Sequence, residues 1–247
     1  MTLKAVLFDL DGTLVDSVPQ LTSGVNALMC EMGLAAFTRD EVAAMVGKGV
    51  PVLIERIALA RGLTREPEAL ARMQSNYTRA MKATDVRLAA FFPGVIEALG
   101  ALREAGIKTV LVTNKMRLMT EDFLDKTGTA HLFDAVVAAG DTPRAKPAPD
   151  MVELACCKAG ALPEEAVMIG DSANDALAAA AAGVRVILVR TGYNEGVPID
   201  QWAHQNGFGE VLDDTAQACR ALLAENARIS LRGGRCVCGN AAPSQSD

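Results

Sequence analysis

Five short apolar runs in this 247-residue chain each end in a polar turn and lead into a helical pattern, a repeat that limits the fold more than any other feature. Ala5-Val-Leu-Phe8 runs into Asp9-Leu-Asp-Gly-Thr13, Ile107 to Val112 into Thr113-Asn-Lys115, and Ala135-Val-Val-Ala138 into Gly140-Asp141. Ala166-Val-Met-Ile169 runs into Gly170-Asp-Ser172, and Val184 to Val189 into Arg190-Thr-Gly192. A strand that feeds a helix packs it back onto its own sheet by a right-handed crossover. The repeat therefore predicts the α/β class with a doubly wound, mainly parallel sheet. Ligands of such sheets bind beyond the carboxyl ends of the strands. There this chain places its carboxylates, Thr113 and most of its turn glycines.

The helices are bounded as clearly. Gly94 to Ala105 stops at Gly106, Met116 to Thr127 at Gly128, Asp150 to Ala159 at Gly160, and Ser172 to Ala182 at Gly183. A glycine just past the last turn suits the left-handed backbone that ends a helix. The Ala178 to Ala182 run fits a helix lying close on a sheet, in keeping with an aromatic content of only 4%. Between the first strand and Phe91-Phe-Pro-Gly94 about seventy residues read as helix throughout, far longer than a usual connection. They predict a helical cap over 16–89, inserted in a core formed by 1–15 and 90–225, with a polar, glycine-rich and disordered tail from 226 to 247.

Two aspartates, Asp9 and Asp11, stand two residues apart at the end of the first strand. Alone, such a pair can be solvated or cap a helix. Projecting to one side of a strand end, the two charges repel unless a cation separates them, and a hard divalent ion with oxygen ligands, best Mg²⁺, is the natural occupant. Asp171, at another strand end, can add a ligand, with Asp175 one helical turn on as support. Thr113 offers a hydroxyl and Lys146, in Ala145-Lys-Pro-Ala-Pro149, a cation. Carboxylate nucleophile, metal, hydroxyl and ammonium are what a transferring phosphoryl group requires, because its transition state is stabilised mainly by position and charge.

The motifs Val6-Leu-Phe-Asp-Leu-Asp-Gly-Thr-Leu14, Leu111-Val-Thr-Asn114, Lys146-Pro147 and Gly170-Asp-Ser-Ala-Asn-Asp175 occur in an order and spacing that resemble the haloacid dehalogenase superfamily of phosphohydrolases. Within it, Asp16-Ser17, the helical insertion, Val112-Thr-Asn-Lys115 and Thr191-Gly-Tyr-Asn-Glu-Gly196 look most like the phosphoglycolate phosphatases. The resemblance implies a Rossmann-like core and a cap that closes over a small phosphomonoester, preferably 2-phosphoglycolate. It implies that Asp9 attacks phosphorus to form an aspartyl-phosphate, while Asp11 protonates the leaving alkoxide and then activates water. It further implies Mg²⁺ held by Asp9, Asp171 and the Asp11 main-chain carbonyl, and phosphoryl oxygens held by Thr113, Asn114 and Lys146. Gly12 and Thr13 would permit the turn over the site, Asp175 would orient Lys146 or metal-bound water, and Lys48, in Val46-Gly-Lys-Gly49, would meet the substrate's far carboxylate. A sugar-phosphate phosphatase or phosphomutase on the same scaffold, or a non-catalytic binding protein, are the alternatives.

Other features narrow the field. A formal charge of −6 gives no reason to expect nucleic acid or an anionic membrane as partner. None of the six cysteines forms a C-x-x-C pair, which suits a reduced cytoplasmic setting, and none precedes an arginine at the spacing of a cysteine-phosphatase loop. No run near Lys4 reads as a signal peptide and none approaches the ~20 apolar residues that span a bilayer. Asp125-Lys-Thr-Gly-Thr129 spells a phosphorylation motif of cation pumps, but it closes an amphipathic helix and reads as a helix terminus. A monomer or a homodimer is compatible with all of this.

Overall fold

The computed structural model describes residues 2–233. Strand β1 (Ala5–Phe8) lies inside a six-stranded sheet and is fully buried. A strand covered on both faces has no side that favours polar groups, which is why Ala-Val-Leu-Phe is apolar throughout rather than alternating. The chain then forms β2 (Val15–Asp16), α1 (Val18–Glu31), α2 (Arg39–Ala43), α3 (Gly49–Ala60) and α4 (Pro67–Ala83), and β3 (Ala90–Phe91) returns to pair antiparallel with β2. Helices and strands alternate from there: α5 (Val95–Glu104), β4 (Lys108–Met116), α6 (Arg117–Thr127), β5 (Ala135–Ala139), α7 (Asp150–Ala159) and β6 (Ala166–Gly170). The described chain closes with α8 (Ala173–Ala181), β7 (Arg185–Val189), α9 (Ile199–Asn206), β8 (Val211–Leu212) and α10 (Thr215–Gly233). The order is β5-β4-β1-β6-β7-β8, with every pairing in this sheet parallel. The doubly wound α/β architecture expected from the strand–helix repeat is thus present.

Successive side chains of each strand point to opposite helical layers. Phe8, Leu111 and Ile169 pack with Leu99 and Leu102 of α5 and Leu222 of α10. Leu7, Val112 and Met168 pack on the other side with Met151 and Ala155 of α7 and Ala178 and Ala179 of α8. Both alanines are wholly buried, as expected of a helix seated directly on the sheet. Phe8 stands opposite Leu111 on one flank and Ile169 on the other. One more step along each strand carries Asp9, Val112 and Gly170 to a common edge.

Helices α1 to α4 bury a second apolar cluster, including Val25 and Met29 of α1, Val42 of α2, Ile54 and Ile57 of α3, and Met73 and Tyr77 of α4. Gly24 makes the approach of α1 to α4 possible, since a methyl group there would overlap the Met81 side chain and touch the Tyr77 ring.

The structure differs from the sequence expectations at particular places. β2, β3 and β8 are two residues each, too short to show a period. β4 continues beyond Val112 to Met116, with a shift of register after Thr113. The tail expected from residue 226 is helical as far as Gly233. Helix α10 is held there because Leu222 is buried in the core and the Asn226 side chain accepts a hydrogen bond from the Leu3 amide at 3.1 Å. The remainder of the tail, with Cys236 and Cys238, lies outside the described residues. Asp125 is exposed at the end of α6, where Gly128 (φ 67°) terminates the helix. Among the described residues no helix is long and apolar enough to cross a membrane.

Leu99 is fully buried while Ile96, on the same helix, is 45% exposed. Leu99→Ala is expected to lower the free energy of unfolding in urea by about 2–5 kcal/mol, and Ile96→Ala by about 0.5 kcal/mol or less.

Candidate active site

Asp9 continues the ladder beyond β1, its amide donating to Ile169 O at 3.1 Å. The chain then turns sharply, with Gly12 at φ 93°, and three hydroxyls fix the turn. Thr191 donates to Gly12 O, Thr215 to Thr13 O, and Thr13 to Asp171 Oδ1, each at 2.7 Å. Asp171 follows β6 and receives the Tyr193 amide on Oδ2 at 3.1 Å. Its carboxylate fills space that only glycine leaves free: a Cβ at Gly12 would come within 2.6 Å of Oδ2, and one at Gly192 would overlap the carboxylate. Asp175, one turn into α8, accepts the Ser172 amide and hydroxyl on Oδ2. The capping arrangement aims its other oxygen at Lys146 Nζ, 2.6 Å away.

Lys146 is the buried cation of this edge. Its ammonium also donates to Val112 O at 2.7 Å and lies 2.9 Å from Asp9 Oδ1. The contact with Asp9 is one of charge rather than of direction, since Asp9 Oδ1 has no well-angled hydrogen bond. Burial would lower the Lys146 pKa, but Asp175 and Asp9 outweigh it and hold the ammonium charged. Asp9 is pushed up to about 6, chiefly by burial, with Lys146 opposing and Asp175 and Asp11 adding to the rise. Asp171 is raised well above the carboxylate range by burial and then by Asp175 and Asp9.

Asp9, Asp171 and Asp175 each turn one carboxylate oxygen to within 4.8 Å of the others. Three carboxylates around a single lysine leave two negative charges uncompensated in a buried site, a deficit that one divalent cation would cancel. The donors are all oxygens, which suits a hard ion. With such an ion present the upward pull on Asp9 and Asp171 would reverse. The residues therefore fit a divalent metal.

The other expected site residues lie around this cluster. Asp11 adds no carboxylate to this cluster. Its side chain pairs with Lys115 Nζ at 2.8 and 3.1 Å. Thr113 is buried beside it, its hydroxyl accepting from the Lys115 amide at 3.2 Å. Asn114, expected on the phosphoryl oxygens, instead grips the Lys146 backbone: Oδ1 accepts from Lys146 N at 3.0 Å and Nδ2 donates to Lys146 O at 2.9 Å. An amide presents one acceptor and one donor edge, and both are used on this peptide. Lys48, expected near the substrate's far carboxylate, is not among the residues that line the cavity over Asp9 and Asp11. It pairs at 3.0 Å with Glu195, which also receives Arg56 at 2.8 Å.

A cavity of about 50 Å³ lies over Asp9 and Asp11, roofed by Leu21, Val50, Leu53 and Tyr77 and walled by Thr113 and Lys115. A larger groove of about 380 Å³ runs alongside, sharing Lys115 and Met119 but none of the clustered carboxylates. Lys115 and Tyr77, which line the cavity, and Gly192, which abuts Asp171, are positions that the sequence reading did not single out. Lys115 had a signal, since it closes the Val112-Thr-Asn-Lys115 motif. Tyr77 had none, because its spacing of four from Met73 and Met81 reads as plain helix core.

Comparison with known proteins agrees with this geometry. The sequence profile of the haloacid dehalogenase-like hydrolases matches residues 6–189. A phosphoglycolate phosphatase of Caulobacter vibrioides is 39% identical over 218 residues, covering 88% of this chain and 91% of its own length. One from Cereibacter sphaeroides is 37% identical over 223 residues, covering 90% of this chain and all of its own. The crystal structure of a predicted phosphoglycolate phosphatase from Haemophilus somnus superposes with a TM-score of 0.80 at 28% identity, covering 90% and 98% of the two chains. That of CbbY from Rhodobacter sphaeroides, in complex with phosphate, gives 0.71 at 25% identity over 87% and 95%. With a strand-end aspartate cluster, a buried lysine and a profile that spans most of its length, the chain belongs to the haloacid dehalogenase-like hydrolases, and among them it is most like the phosphoglycolate phosphatases.

Proposed function

We infer that this phosphoric monoester hydrolase is a Mg²⁺-dependent phosphatase acting on 2-phosphoglycolate through an aspartyl-phosphate on Asp9. The observation that carries the reading is the position of Asp9, beside Lys146 and within one carboxylate cluster with Asp171 and Asp175. The phosphoglycolate phosphatases among its relatives support the substrate.

In this scheme Asp9 attacks phosphorus in line, and the departing alkoxide takes a proton from Asp11. Asp11 then removes a proton from the water that hydrolyses the acyl phosphate. Lys146 and the Thr113 hydroxyl hold the phosphoryl oxygens, while Asn114 fixes the Lys146 peptide and Asp175 aims its ammonium. The carboxylates of Asp9 and Asp171, with the Asp11 main-chain carbonyl, would hold Mg²⁺, which supplies charge neutralisation at the phosphoryl group. The helical cap, 16–89, would close on the core of 1–15 and 90–225 and exclude water from the first displacement. The free thiols of Cys156 and Cys219 suit the cytoplasm.

Asp9→Asn and Asp11→Asn are each expected to reduce phosphate release from 2-phosphoglycolate at least about a hundredfold, with circular dichroism unchanged. Full activity in Asp9→Asn would refute the covalent scheme. Chelation by EDTA is expected to abolish turnover and Mg²⁺ to restore it. Gly192→Ala, which drives a methyl into Asp171, is expected to raise the Mg²⁺ concentration for half-maximal rate by roughly 10–100-fold.

A further inference from the structure

Tyr77 is a large side chain of α4 with no exposed surface, and its hydroxyl has no hydrogen-bond partner. A buried donor without an acceptor is destabilising, so such groups in a folded protein call for a reason. The ring itself is well accounted for: it packs in the cluster of α1, α3 and α4, close against Gly24. A phenylalanine would fill that space as well. What the hydroxyl adds is an unpartnered O–H on a residue that lines the cavity containing Asp9 and Asp11. Burial, and after it the charge of Asp11, pushes this phenol well above its ordinary range, so it stays a donor.

Lys115 faces the same cavity. It is 8% exposed, and its ammonium makes both of its side-chain contacts with Asp11. An ammonium has three donors, so the pairing leaves it capacity for a further anion. Leu21, Val50 and Leu53 supply apolar side chains beside them, and Lys48 is engaged with Glu195 outside. Of the polar side chains that line the cavity, Lys115 and Tyr77 are the two to which the proposed scheme gives no other part.

We propose that Lys115 and Tyr77 form the subsite for a carboxylate on the leaving group, making the enzyme selective for phosphate esters of short hydroxy acids. This rests on the phosphatase reading and assigns its specificity to residues other than Lys48. The carboxylate oxygens accept from the ammonium and the phenol together, so the subsite disfavours an ester of the same size without the charge, because the phenol would then stay unmatched and the ammonium would keep Asp11 alone.

The test compares 2-phosphoglycolate with ethyl phosphate, which has a methyl in place of the carboxylate. Wild type is expected to favour 2-phosphoglycolate in kcat/KM by about a hundredfold or more. Lys115→Met should bring that ratio close to one, Tyr77→Phe should lower it roughly tenfold, and Lys115→Arg should restore most of it. Far-ultraviolet circular dichroism and thermal melting check that each variant is folded. Calorimetric binding of both esters to the Asp9→Asn protein gives a readout without turnover, where the same preference and the same losses are expected. Equal loss on both esters in Lys115→Met, or an unchanged ratio in both Lys115→Met and Tyr77→Phe, would overturn the subsite. Absence of phosphate release from either ester, with the binding preference intact, would overturn the phosphatase reading and leave the subsite standing.

Discussion

The buried surplus of negative charge at the carboxyl edge of the sheet is the constraint around which the rest is arranged. Asp9 comes from one segment and Asp171 and Asp175 from another, and the parallel register of β1 and β6 brings the first to the other two. Holding carboxylates out of water is unfavourable unless each is paired or hydrogen-bonded. The chain meets that demand with Lys146, with the hydroxyls of Thr13 and Ser172, and with the backbone amides of Ser172 and Tyr193. Space is part of the solution as well. Gly12, Gly170 and Gly192 each leave room that a side chain would take from Asp171 or Asp175. The glycines of these loops are therefore packing partners of the acids as much as turn formers.

The layers around the site explain how the edge keeps its shape. Neighbouring strands of the sheet present one face to α5 and α10 and the other to α7 and α8, so the strand ends are clamped from both sides. The helical insertion adds a second apolar cluster above them, tied back to the core by polar contacts. Tyr193 donates to Asp16 at 2.7 Å, and Arg39 reaches the other oxygen of that carboxylate at 2.6 Å. Glu195 gathers Lys48 and Arg56 in the same manner.

Much of this was legible in the sequence because the signals are local. A fully buried parallel strand must be apolar along its length, so Ala5 to Phe8 and Ala166 to Ile169 announce themselves, and the glycines after the helices mark their ends. The two-residue strands β2, β3 and β8 carry no period to read. Side-chain roles were harder. Spacing shows that Asn114 sits at a strand end, but not that its amide is already committed to the Lys146 peptide. The glycines around Lys48 suggest an active-site loop, yet its partner is Glu195, distant in sequence and visible only in three dimensions. Tyr77 was hidden for the opposite reason, since its ring does belong to the core and only its oxygen does not.

Asn114 has one further property. Its Nδ2 group also reaches Gly47 O, in the loop before α3, at 3.2 Å, while both edges of the amide stay on Lys146. If the helical insertion swings away, Asn114 gives up a contact with the visitor and none with its permanent neighbour. In the proposed scheme the peptide that carries the phosphate-holding ammonium would therefore keep its place wherever the insertion sits, since its two anchoring hydrogen bonds both come from Asn114 of β4.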